Sequence, residues 1–165
     1  MERTLQVLND LERDGLFARY AIGGGVGAIF YMEPFLTYDL DVFVVLPAAG
    51  GSILTLGPLY AFLRQRGYRE EGECVNIEGV PVQFLPAYNA LVEEALAHAR
   101  EVLYEGTPTR VLGAEYLVAI MLQTGRAKDR QRFWSFLREA DLDRDNLEAI
   151  LRRHQLESRW SEWTA

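Results

Sequence analysis

Asp39-Leu40-Asp41 is the stretch of this sequence whose residue types and spacing could do chemistry. Read within a strand over Thr37 to Leu46, TYDLDVFVVL, the two acids stand at positions i and i+2. They therefore share one face, with Cα atoms roughly 6.5 to 7 Å apart. Carboxylates so close repel each other unless a cation or a shared proton relieves them, and hard oxygen donors suit a Mg²⁺ ion that carries a nucleotide phosphate. The plainer alternative is a solvated acidic strand end, because acids are mostly exposed.

Upstream, Gly23, Gly24 and Gly25 interrupt a short strand reading, Arg19 to Ile22, and a short helix reading, Val26 to Tyr31. Consecutive glycines let the backbone approach a ligand more closely than any side-chain-bearing residue permits, so such a turn can cradle an anion; a tight turn that simply needs glycine is the alternative. Gly23, Gly25 and Ala28 also satisfy a dinucleotide fingerprint. That reading lacks its context: the helix is cut at Glu33-Pro34 and no acid follows VFVVLP to hold a ribose. Downstream, Arg126 and Lys128 follow Gly125 near a helix start, where cations could meet phosphate or else face water or pair with Asp129.

The elements that must position these groups follow from periodicity and punctuation. Leu5, Leu8 and Leu11 predict a first helix over residues 2 to 14, closed by Gly15. Thr37 to Leu46 reads as a central strand ending at Pro47, AAGGS at Ala48 to Ser52 as a loop, and Leu59 to Arg66 as a helix stopped by Gly67. Glu73 to Ile77 and Val80 to Leu85 around Glu78-Gly79 predict a hairpin, whose second strand should lie at an edge or face solvent at Pro81. Asn89 reads as the N-cap of a helix reaching Arg100. Beyond Gly113 the texture is helical: Ala114 to Gln123, Asp129 to Arg138, and Asp145 to Gln155 with Asp145 and Glu148 as a capping box. Trp160 and Trp163 should pack back or meet a partner. The expected fold is α/β (α+β), a mixed sheet flanked by helices, as one domain over residues 1–165 with an α/β core (1–112) and a helical C-terminal subdomain (113–165).

With 165 residues, 49% of them hydrophobic, the chain can build a core without metal or disulfide staples. Its 17 Lys and Arg against 24 Asp and Glu give a net charge of -7, which disfavours sequence-blind binding to a polyanion. A single cysteine, Cys74, excludes an internal disulfide and suits a reducing cytoplasm; on a strand it reads as core rather than nucleophile. No apolar run approaches the roughly 20 residues that span a bilayer, so no membrane role is expected. His98 and His154 lack second ligands at metal spacing and read as surface or packing residues.

Through Ile22-Gly23-Gly24-Gly25 and Asp39-Leu40-Asp41, the sequence resembles the DNA polymerase β-like nucleotidyltransferase superfamily, especially its small bacterial and archaeal members akin to abortive-infection toxins. The resemblance extends through Gly67-Tyr68, Val82-Gln83-Phe84-Leu85-Pro86 and Gly125-Arg126-Ala127-Lys128-Asp129. It implies NMP transfer from an NTP to a hydroxyl with Mg²⁺ or Mn²⁺ on Asp39 and Asp41, triphosphate against Gly23, Gly24, Gly25 and Arg126, and Lys128 at the leaving group. The acceptor stays open between a small molecule, an RNA end and a protein side chain, and a protein partner or homodimer is compatible. One departure matters: the family's third metal-binding carboxylate falls at Gln83, which brings no charge. Glu78 is the candidate substitute. The alternative is a catalytically weakened nucleotide-binding module of regulatory or toxin-antitoxin type.

Overall fold

In β2 (Leu40–Val45), side chains alternate between two apolar layers, and that alternation organises the molecule. The computed structural model describes residues 1–47 and 55–165. Leu40, Val42 and Val44 are fully buried beneath α1 (Glu2–Arg13) and α3 (Gly57–Gln65), through Leu5, Leu8, Leu11, Leu59 and Leu63. Asp41, Phe43 and Val45 point the other way, where Phe43 joins α4 (Ala90–Ala97), α5 (Ala114–Thr124) and α6 (Ala127–Glu139) in a second core containing Leu91, Leu117, Phe133 and Phe136. A full side-chain burial of this kind contributes about 1.5 to 3 kcal/mol.

Among the described residues the sheet has seven strands in the order β3-β4-β5-β2-β1-β7-β6. β1 (Arg19–Ile22) runs antiparallel to β2 and parallel to β7 (Thr107–Val111), and β2 runs parallel to β5 (Val80–Pro86). The mixed sheet with helices on both faces is the expected fold class. β3 (Arg69–Glu71) and β4 (Cys74–Ile77) complete one side, with the Glu78-Gly79 hairpin where it was expected.

Several expectations need correction. β5 is internal and not an edge strand, and of the two expected arrangements for Pro81 the one consistent with it is the open position: the pairing with β2 begins only at Val82. α4 stops at Ala97, capped as expected by Asn89, which accepts from the Val92 N–H at 2.9 Å. Arg100 instead opens β6 (Arg100–Tyr104), paired with β7 across a Glu105-Gly106 turn in which both residues have positive φ, as a two-residue hairpin turn requires. The cap of α7 (Arg144–Arg153) is Asp143, accepting from the Asn146 N–H at 3.0 Å, not an Asp145–Glu148 box. The short helix after the glycines, α2, spans Gly24–Ile29 and so includes two of them. The AAGGS loop lies outside the described residues. The two tail tryptophans do pack back, on α8 (Glu157–Thr164): the rings of Trp163 and Phe133 meet edge to face at 5.1 Å, and Trp160 lies 5.6 Å from the same ring. No described helix is long and apolar enough to cross a membrane.

Candidate active site

The glycine turn lies directly against the second aspartate of the Asp-x-Asp pair. β1 ends at Ile22, and the Gly23 N–H donates to the Asp41 carbonyl at 3.0 Å. Gly24 has φ +57°, and a Cβ there would collide with the Asp41 carboxylate. A Cβ on Gly23 would sit 2.5 Å from the Phe43 ring, and one on Gly25 would sit 2.6 Å from Thr37 Oγ1 and 3.3 Å from an Arg132 Nη2. Close approach, and not turn geometry alone, is what demands glycine here.

Asp41 is in register with Gln83 across the parallel β2–β5 pair, so the amide stands on the strand next to the acid and on the same face. Both line a cavity of about 160 Å³ with Gly24, Tyr88, Arg126 and Arg132. Burial pushes the Asp41 carboxyl up to about 6, the charge of Asp39 adds to the rise, and Lys128, Arg126 and Arg132 oppose it. Asp39 is therefore a near neighbour of Asp41, but it precedes β2 rather than lying within it, and it lines a different cavity. Asp39 thus stands beside Asp41 but one residue outside the strand.

The cations come from the start of α6. The Arg126 guanidinium donates to Asp129, with Nε 2.8 Å from Oδ2 and Nη2 3.2 Å from Oδ1, and Asp129 is buried. That fixes Arg126 at the cavity wall and joins its two alternative readings, since the ion pair and the approach to the acid coexist. Lys128 is exposed and lies outside the cavity lining, though within electrostatic reach of Asp41. Arg132 was not singled out from sequence, yet it reaches the glycine turn with its guanidinium 5.0 Å above the Phe35 ring. Its place one helical turn after Lys128 was the available signal.

The Gln83 side chain donates from Nε2 to Glu73 Oε2 at 3.3 Å. Glu78 does not join the site; it accepts from the Tyr68 hydroxyl at 2.9 Å in the β4–β5 turn. Burial, together with Asp39 and Asp41, raises the Cys74 thiol, which disfavours the thiolate. His154 Nε2 lies 2.8 Å from Glu94 and His98 stacks on Tyr116, both away from the acids.

Among the described residues no three His, Cys, Asp or Glu side chains are grouped to hold a metal ion. Two neighbouring carboxylates are nonetheless the donor set that Mg²⁺ uses when substrate phosphates supply the other oxygens. The residues present fit an ion delivered with a nucleotide and do not fit a closed protein cage.

No protein-family model and no curated protein matches the chain. Solved structures do. The crystal structure of ANT(2")-Ia in complex with adenylyl-2"-tobramycin aligns at TM-score 0.53 and 18% identity, over 93% of this chain and 94% of that one. The solution structure of the antibiotic-resistance factor ANT(2'')-Ia aligns at 0.55 and 19%, over 98% and 96%. An antigenic nucleotidyltransferase-like protein from Paracoccidioides brasiliensis aligns at 0.55 and 14%, over 97% and 89%. These likenesses show a shared fold.

Proposed function

We propose that the protein transfers a nucleoside monophosphate from an NTP to a hydroxyl acceptor, releasing pyrophosphate. The supporting observation is the convergence of Gly24, Asp41, Arg126 and Arg132 on one cavity, in a fold shared with nucleotidyltransferases. The turn at Gly23, Gly24 and Gly25 would offer the backbone N–H groups of Gly24 and Gly25 to phosphate, and Arg126 and Arg132 would face its negative charge. Asp39 and Asp41 would hold Mg²⁺ or Mn²⁺, which when bound supplies positive charge beside the phosphate oxygens. Lys128, exposed at the rim, meets the departing pyrophosphate. Preorganised charge of this sort is the main contribution a protein makes to phosphoryl-group transfer.

A second reading has its own observation. Gln83 occupies the strand position beside Asp41 where the resemblance puts a carboxylate, and it donates its amide to Glu73. A nucleotide-binding module with little turnover, of regulatory or toxin-antitoxin type, would look like this. Incubation with α-labelled NTPs, Mg²⁺ or Mn²⁺ and a pool of small molecules, RNA and lysate protein separates the two. Acceptor-dependent label that disappears in Asp41→Ala supports transfer, NTP binding without label supports the module, and neither result overturns both.

A further inference from the structure

The cavity that holds Asp41 changes character along its length. Asp41 and Gln83 are partners across β2 and β5, and Phe43 and Leu85 are partners two residues further along the same strands. Side chains two apart on a strand share a face, so the polar pair gives way to an apolar pair within about 7 Å. Leu117, Ile120, Met121 and Thr124 of α5, spaced three and four residues apart, line the cavity as one helical stripe.

Tyr88 stands at the rim, among the lining residues and yet 57% exposed. Burial raises its phenol, while the neighbouring Arg126 guanidinium and the Thr124 hydroxyl lower it, so the ring sits beside the cation that would meet phosphate. The enclosed space of about 160 Å³ falls below the roughly 300 to 1,000 Å³ of small-ligand sites, so it takes only part of a nucleotide. The remainder must lie across the rim.

We propose that Tyr88 is the platform on which the base of the NTP stacks, in a site that discriminates little between the four bases. The proposal rests on the nucleotidyl-transfer reading and places the nucleoside within it. The triphosphate takes the charged end at Gly24, Arg126 and Arg132, which leaves the base the apolar end and the rim. There Leu85, Ile120 and Met121 offer burial but nothing that reads a base edge. The polar groups nearby are already engaged: the Thr124 hydroxyl donates to the Ile120 carbonyl at 2.6 Å, Arg126 donates to Asp129, and the Gln83 amide donates to Glu73. Strong rejection of a wrong base needs buried polar groups that it would leave unpaired. An aromatic face makes no such demand, because every base has a π face to lay against it.

The test compares ATP, GTP, CTP and UTP with inorganic tripolyphosphate, each with Mg²⁺, by calorimetry on the full chain. Tripolyphosphate has no base, so it separates the platform from the phosphate site. The four NTPs should bind the parent protein within about tenfold of one another, and all more tightly than tripolyphosphate. Tyr88→Ala should weaken every NTP by about tenfold or more and leave tripolyphosphate unchanged, whereas Tyr88→Phe should keep the parent's affinities. Should the alanine variant not unfold cooperatively, Tyr88→Gln takes its place. Arg132→Ala, by contrast, should weaken NTP and tripolyphosphate alike. Undiminished NTP affinity in the ringless variant, an equal loss of tripolyphosphate, a phenylalanine variant as weak as the alanine one, or a base preference beyond about tenfold would each overturn the inference. Those outcomes leave the transfer reading standing, because NTP is still bound; a protein that binds neither NTP nor tripolyphosphate overturns both.

Discussion

The Cα atoms of Asp41 and Gln83 are partners across two parallel strands, so an acid and an amide share one level of the sheet and one cavity. A carboxylate at 83 would complete a ligand trio with Asp39 and Asp41. Gln83→Asp should therefore raise Mg²⁺-dependent and NTP-dependent stabilisation while lowering the melting temperature of the free protein, because three acids would then repel without an ion. Each effect is on the order of 1 to 3 kcal/mol. Thermal denaturation with and without Mg²⁺ and NTP reads both, and an unchanged metal response would show that position 83 does not address the ion. Adding Glu73→Gln should recover part of the lost free-protein stability, since Glu73 is the acid that Gln83 now touches.

Asp41 itself carries a stability cost in the ligand-free protein. Its folded pKa, about 6, lies above its unfolded value, so the folded state holds the proton more tightly. Stability from this group is then greatest below the unfolded value near 4 and declines as pH rises through 6. Asp41→Asn should raise stability at pH 8 by about 1 to 2 kcal/mol and flatten the pH dependence between 4 and 6. The same variant should lose NTP-dependent stabilisation. A melting curve unaffected by the substitution at pH 8 would contradict the strained position inferred for this acid.

Arg132 should matter to nucleotide more than to folding. Its guanidinium is at the glycine turn and lines the cavity that holds Asp41, and its loss would remove from the proposed site a charged hydrogen-bond partner worth about 1.5 to 3 kcal/mol. Arg132→Ala should weaken NTP binding about 10-fold to 100-fold by calorimetry. Arg132→Lys should recover charge but only part of the affinity, because an ammonium cannot span two phosphate oxygens in the same fork. Equal affinities for all three proteins would remove Arg132 from the site.

Far from the acids, Glu94 ties α4 to α5 and α7. It accepts from the Tyr116 hydroxyl at 2.9 Å, pairs with Arg153 and lies 2.8 Å from His154. The Arg153 hydrogen bond, helped by Tyr116 and His154, holds its carboxyl down at about 2. A depressed acid stabilises fully above its unfolded value near 4.3, and that contribution disappears as pH falls from there through 2. Glu94→Gln should cost about 1 kcal/mol at pH 7 after allowance for screening at the exposed Arg153, and should make acid unfolding less steep between pH 4 and 2. Chemical denaturation across that range tests it, and a variant as acid-sensitive as the parent would be the contrary result.

Strong local signals made much of this molecule legible in its sequence. The leucine spacing of α1, the β-branched run of β2 and the Asn89 cap all led to the element observed. The β6–β7 hairpin went unread although Glu105-Gly106 repeats the Glu-Gly pattern of Glu78-Gly79, with positive φ at both residues in each. Arg100 to Val111 has few buried apolar positions, so the alternation that marks a strand was faint there. In the site, Gly24, Asp41, Gln83 and Arg126 were named in advance and do line one cavity. The split between Asp39 and Asp41 depends on where β2 begins, and boundaries are set by tertiary pairing. Arg132 joins the cavity only once α6 is packed beside the glycine turn.

Trp163 and Phe133 meet edge to face, and Phe133 is the residue after Arg132. The chain's last helix thereby braces α6 next to Arg132, although it contributes no residue to the cavity lining. Damage at the tail would then masquerade as a binding defect, so a screen for lost activity would collect substitutions near Trp163 beside those at Asp41. Packing changes in α8 would then act on the cavity at a distance, with every residue that lines it unchanged.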